Sequence, residues 1–206
     1  GTLSAYRGAI FIFSRGEQID GNDLPQALTG WSINGPLSFA GVTISWLLTF
    51  GLVVALIGSL FLAKSRAGRD VFALGSNPDA ARLRGVAVNR TTFLVYAVTG
   101  ALCGLAGVMY AARFGFVNPA TAGQGFELTV IAAVAIGGTK ITGGSGSVLG
   151  VVLGCFLLGA ISVALAVLGI DASWQLLVYG VVILLALLVD ASFRTLLSRL
   201  ELRRTA

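Results

Sequence analysis

SVLGVVLGCFLLGAISVALAVLGI, residues 147–170, contains no charged side chain, and the charge-free run around it extends from 141 to 170. A hydrocarbon core about 30 Å thick takes roughly 20 apolar residues of helix at 1.5 Å each, so this stretch is long enough to span it. A second run, 24–63, holds 40 residues without a charge. Of the 206 residues 56% are hydrophobic and 11% charged, less than half of the roughly 25% charge of a soluble domain. The chain reads as an integral membrane protein, and soluble enzymes are disfavoured.

Working outward, five segments read as spans: 39–63, 91–112, 126–138, 147–170 and 174–189. The third is too short to cross as a straight helix, and Pro119 with the glycines of 114–125 allows it a kinked or broken course. Residues 1–14 are apolar but interrupted by Arg7, and read as the end of an earlier span or a re-entrant piece; 15–36 is a polar, turn-rich loop. The chain starts at Gly1 with no basic flank before an apolar core, so no signal peptide is read there.

Lysines and arginines favour the cytoplasmic side. The stretch 64–90 carries Lys64, Arg66, Arg69, Arg82, Arg84 and Arg90, and the tail carries Arg194, Arg199, Arg203 and Arg204, whereas 15–36 is acidic. With both basic stretches inside, an even number of crossings separates them. The short third segment must then cross, and Lys140 lies inside.

Chemistry is narrowed by absence. Without histidine, Ser-His-Asp and Cys-His catalysis and the usual His-bearing zinc sites are excluded, so no catalytic or metal-binding residue is assigned. Cys103 and Cys155 lie in apolar stretches and read as small packing residues. Residues 137–147, GGTKITGGSGS, miss the phosphate-loop spacing, because Thr139 precedes and Ile141 follows Lys140. They read as a close-packed turn between spans. Gly100 with Gly104, and Gly146 with Gly150 and Gly154, recur at four-residue spacing, which places small residues on one helix face and predicts close helix packing.

The loop KSRAGRDVFALGSNPDAARLRGVAVNR, 64–90, contains a compact set of helix signals. Asn77 suits the N-cap, Pro78 the first helical position, and Asp79 the positive end of the helix dipole. Ala80, Ala81, Arg82, Leu83 and Arg84 continue the helix, and Gly85 supplies a left-handed stop. A short helix capped at both ends therefore sits between two spans. Its composition fits either a surface helix on anionic headgroups or a docking knob for a cytoplasmic protein. Around the third segment, Asn118, Gln124, Glu127 and Thr129 are candidates to line a solute path, with Glu127 alternatively marking the interface or pairing with Arg113.

Three blocks carry a resemblance: GRDVFALGSNPDAARLRGVAV (68–88), GFELTVIAAVAIGGTKITGGSGSVLGVVLG (125–154) and WQLLVYGVVILLALLVD (174–190), together with YRG at 6–8. In this order the chain resembles the permease subunits of bacterial ABC importers for monosaccharides, the ribose, xylose, arabinose, rhamnose and autoinducer-2 type. The resemblance implies an all-α, polytopic transmembrane helix bundle of about five spans plus a short cytoplasmic coupling helix, Asn77 to Gly85. It implies that residues 1–206 form one transmembrane permease domain, the C-terminal part of a longer permease. It also implies four partners: a cytoplasmic ABC ATPase docking on that helix, a second permease subunit (identical or not), a periplasmic sugar-binding protein, and the bilayer. Nucleic acid is not expected.

Arg82 and Asp79 are then the expected polar contacts to the ATPase, with Ala80, Ala81 and Leu83 filling its groove. The chain itself would be no enzyme and would need no cofactor, ATP and Mg being bound by the ATPase. The expected place is the bacterial inner membrane, multi-pass, with a cytoplasmic C-terminus. The rival reading is an ion-gradient-driven secondary transporter or channel, which calls for acidic residues deep inside spans. Glu127 and Asp190, the candidates, sit near segment ends.

Overall fold

A computed structural model describes residues 2–20, 25, 30, 35, 37–39, 42–140, 142–170, 174, 177–181 and 184. Seven helices and one strand pair are defined there: α1 (Thr2–Phe13), β1 (Leu37–Phe39), β2 (Val42–Ile44), α2 (Trp46–Lys64), α3 (Arg66–Ser76), α4 (Pro78–Leu83), α5 (Val88–Phe114), α6 (Phe126–Ile136) and α7 (Val148–Val167). The architecture is helical, with β1 and β2 forming one small antiparallel hairpin in which Leu37 faces Ile44 and Phe39 faces Val42.

Helices α2, α5 and α7, of 19, 27 and 20 residues, are long and apolar enough to cross a membrane. Their large side chains, among them Leu56, Phe93 and Leu153, are exposed. That is the inverse of a soluble fold and suits a surface covered by lipid. This is a multi-pass membrane protein. Cys103 and Cys155 are free thiols, both on the exposed surface.

The expected first span, 39–63, begins too early. The hairpin takes Phe39 and Val42–Ile44, whose branched side chains favour extended backbone, and the helix starts only at Trp46, where Ser45 Oγ accepts from Leu48 N–H at 3.3 Å. The third segment contains an 11-residue helix, α6, about 16 Å long at 1.5 Å per residue and so half a hydrocarbon core. Non-helical backbone precedes it through 115–125, where Gly115, Gly123 and Gly125 all take positive φ. The fifth segment and the basic tail lie largely outside the described residues, although Trp174, 177–181 and Leu184 are helical.

The chain divides into two compact units. The first comprises Gly1–Ile57 and Asn89–Gln124. Within it α1 ends in a left-handed turn at Arg15 (φ +56) and Gly16, closed by Gly16 N–H donating to Phe11 O at 3.1 Å. Ile19 and Val117 then exchange two backbone hydrogen bonds of 3.0 and 2.9 Å, tying the segment after α1 to the segment after α5.

The second unit comprises Gly58–Val88 and Gly125–Ala206. Its core is the pair α6–α7. Backbone approaches match Gly137 to Gly150 and Ala133 to Gly154; one index rises as the other falls, so the helices are antiparallel. Ala132, Ala133, Leu158 and Tyr179 are buried there, with Ile136 and Ile161 against them. Ser162 and Tyr179 hydroxyls share a hydrogen bond of 2.5 Å, a polar tie of the kind that holds helices together in lipid.

Candidate functional site: a capped helix between two spans

The loop 64–90 holds two helices where the sequence reading placed one. Helix α3 starts directly after α2, because Ser65 Oγ accepts from Gly68 N–H at 2.8 Å and caps it. Gly68 is required at this corner: a Cβ there would strike the carbonyl of Leu62. The Ser65 cap and the apolar spacing of Ala67, Val71 and Leu74 were signals for α3, masked by the charges between them.

Asn77 is shared. Its N–H donates to Ala73 O at 3.2 Å, ending α3, while its side-chain oxygen accepts from Asp79 N–H (3.0 Å) and Ala80 N–H (3.1 Å), starting α4. Pro78 occupies the first turn, where it forfeits no intrahelical bond. At the other end Gly85 takes φ +82; its N–H donates to Arg82 O at 2.9 Å, and Val86 N–H donates to Ala81 O at 3.1 Å. This pair of bonds is a Schellman stop. Six residues of helix are thus fixed at both ends, with only Asn77 joining them to α3.

Leu83 is 91% exposed, and Ala80 and Arg84 are exposed with it. Asp79 and Arg82 lie 3.7 Å apart with side chains 89% and 62% exposed. Such a pair contributes little stability in water, so both groups are available to a partner. Ala81 corrects the expectation that it fills a partner's groove: it is 2% exposed, so it faces its own chain and anchors the helix while Leu83 projects.

The turn 137–147 touches this assembly. Helix α6 stops at Gly138 (φ +76), with Thr139 N–H donating to Val134 O at 3.2 Å. Lys140 N–H donates to Ser145 O (3.1 Å), its carbonyl accepts from Gly143 N–H (2.9 Å), and its side chain is exposed. Ser147 Oγ then accepts from Gly150 N–H at 3.4 Å to start α7. At the tip, Gly143 and Gly144 abut the end of α3: a Cβ on Gly75 would lie 2.8 Å from Gly144 N, and one on Gly143 2.6 Å from Gly75 O.

The packing glycines divide. Gly150 and Gly154 meet α6, and Gly146 lies before α7 against the Thr139 side chain. Gly100 and Gly104 face open space, with no described atom within 4 Å of where a Cβ would stand. Of the solute-path candidates, Asn118 is committed to its loop: its oxygen accepts from Ala120 N–H at 2.9 Å and its amide donates to Gln18 at 3.4 Å. Gln124 is exposed in the first unit; Glu127 and Thr129 belong to the first turn of α6 in the second, exposed and half-buried.

A profile of the family described as branched-chain amino acid transport system / permease component matches residues 3–187. The chain belongs to this permease family. It is 40% identical over 97% of its length to the autoinducer 2 import system permease protein LsrC of Klebsiella pneumoniae subsp. pneumoniae, covering 56% of that protein. It is 39% identical over 89% of its length to the ribose import permease protein RbsC of Escherichia coli K12, again covering 56%. This permease chain thus spans about half the length of the curated relatives it matches. No solved structure matches it.

Proposed function

We propose that this chain is the membrane-spanning part of an ATP-driven importer for a sugar or sugar-like solute. The ATP and Mg would be bound by a separate cytoplasmic ATPase, which docks on α4. A solute-binding protein would deliver cargo from outside, and a second permease subunit would complete the pathway. The membrane is the bacterial inner membrane, with the C-terminus in the cytoplasm.

The family description names branched-chain amino acids, whereas the similar relatives are named for autoinducer 2 and ribose. The identities of about 40% to those relatives favour a polyhydroxylated solute. The observation that carries the reading is α4 itself: a two-capped helix with an exposed Leu83 beside an exposed Asp79–Arg82 pair. A short rigid element passes on a push that a flexible loop would absorb. Cycles of ATP binding in the partner would press α4 and rock the spans between outward and inward openings.

The test uses the full-length permease with its ATPase and binding protein in proteoliposomes, offered ribose and autoinducer 2. Arg82→Asp combined with Leu83→Asp is expected to abolish solute-stimulated ATP hydrolysis and leave membrane insertion intact. Normal stimulation in that variant would remove α4 from the docking role.

A further inference from the structure

We infer that the tip of the glycine-rich turn, Gly143–Gly144, is a strut that carries displacement of α4 into the α6–α7 hairpin through backbone contact with Gly75 and close contact with Ser76. This rests on the reading of α4 as the ATPase-docking helix.

Four observations in the second unit support it. First, α4 has no slack toward α3, because Asn77 is at once the C-cap of one helix and the N-cap of the other. Second, the last residues of α3 touch the turn closely: Gly75 lies against Gly144 N and Gly143 against Gly75 O, backbone to backbone, and Gly144 lies against the side chain and Cα of Ser76. The two contacts of Gly75, being between backbones, cannot be relieved by a change of rotamer. Third, the turn is braced. Its neck is closed by Lys140 N–H to Ser145 O, one leg continues from the capped end of α6, and the other enters α7 through the Ser147 cap. Fourth, those two helices are themselves in backbone contact, Gly137 with Gly150 and Ala133 with Gly154. From α4 to the middle of α7 each joint is therefore a cap or an approach too close to admit a Cβ, and a movement at one end is carried to the other.

Positive φ at Gly143 and Gly144 gives those two residues a separate reason to be glycine. Gly75 has none: it lies inside α3, where alanine is the better helix former, and the nearest atoms a side chain there would meet belong to the turn.

The decisive experiment uses one folded complex before and after a chemical wedge. In the full-length permease with its other cysteines replaced by alanine, Ser76→Cys places a single thiol beside Gly144. Unlabelled, it is expected to take up ribose or autoinducer 2 with ATP as the unsubstituted protein does. Reaction with N-ethylmaleimide inserts a rigid ring at the contact, and uptake is expected to fall about tenfold or more while the ATPase stays bound in pull-down. Gly75→Ala is expected to act likewise. Gly58→Ala, the same change in α2 at a site with no described atom within 4 Å of the added Cβ, is expected to stay within about twofold.

Labelled protein that transports as well as unlabelled protein overturns the strut. Loss of the ATPase on labelling also overturns it, by making Ser76 part of the docking surface. An unsubstituted complex that takes up neither solute with ATP refutes the importer reading, and the strut falls with it.

Discussion

The Cβ of an alanine at position 154 would fall against the carbonyl oxygen of Ala133, on the face where α6 and α7 meet. The atom it meets is backbone, so the helices must move apart. Gly154→Ala is expected to destabilise the permease by about 1–3 kcal/mol, read as a lower midpoint of thermal unfolding in detergent. Gly159 lies on the same helix with open space around it, and Gly159→Ala is expected to leave the midpoint unchanged or raise it, as alanine favours helix. Equal losses for the two would mean that α7 resists any Cβ, whatever the contact. Arg15 gives the opposite case. It holds φ +56 at the end of α1, in a left-handed region that costs an L side chain roughly 1–2 kcal/mol. Arg15→Gly is expected to recover part of that and raise the same midpoint.

At the scale of elements, α4 shows why some structure is legible in sequence. Its caps are neighbours in the chain: Asn77, Pro78 and Gly85 act on backbone groups within five residues, so their spacing alone announces the helix. Helix α3 is hidden because its apolar positions alternate with Arg66, Arg69 and Asp70 and read as polar loop. The β1–β2 hairpin is hidden for the converse reason, its Val42, Thr43 and Ile44 merging into the apolar run of α2. Gly150 and Gly154 announce a small-residue face, but nothing local says that Ala133 and Gly137 fill it. The contact of Gly75 with Gly143–Gly144 spans still more sequence. The caps also set a measurable stability. Asn77→Ala removes two hydrogen bonds to the first turn, worth about 1 kcal/mol. Amide exchange over residues 79–86 is then expected to accelerate about fivefold, while Asn77→Asp, which keeps an acceptor, is expected to preserve protection. Unchanged exchange in the alanine variant would show that α4 is held by its surroundings.

For the whole molecule, the same contact supports the crossing count that the basic stretches predict. Residues 75–76 touch 143–144, so the chain between them is expected to cross the membrane an even number of times. Helix α5 is long and apolar enough to be one crossing. The return is then expected within residues 115–136, a stretch of non-helical backbone followed by the 11 residues of α6. A broken crossing leaves backbone groups unpaired at membrane depth, which lipid does not tolerate but a protein-lined or wet cavity does. Six lysines and arginines in 64–90 predict a cytoplasmic common side. Single cysteines at Leu83 and Lys140, both exposed, are expected to react with a membrane-impermeant maleimide in inverted vesicles and not in intact spheroplasts, while one at Gln18 reacts only in spheroplasts. Labelling of Leu83→Cys and Lys140→Cys from opposite sides would break the even count, and with it the crossing assigned to 115–136. Labelling of both from outside would keep the count and reverse the orientation, removing α4 from the reach of any cytoplasmic ATPase.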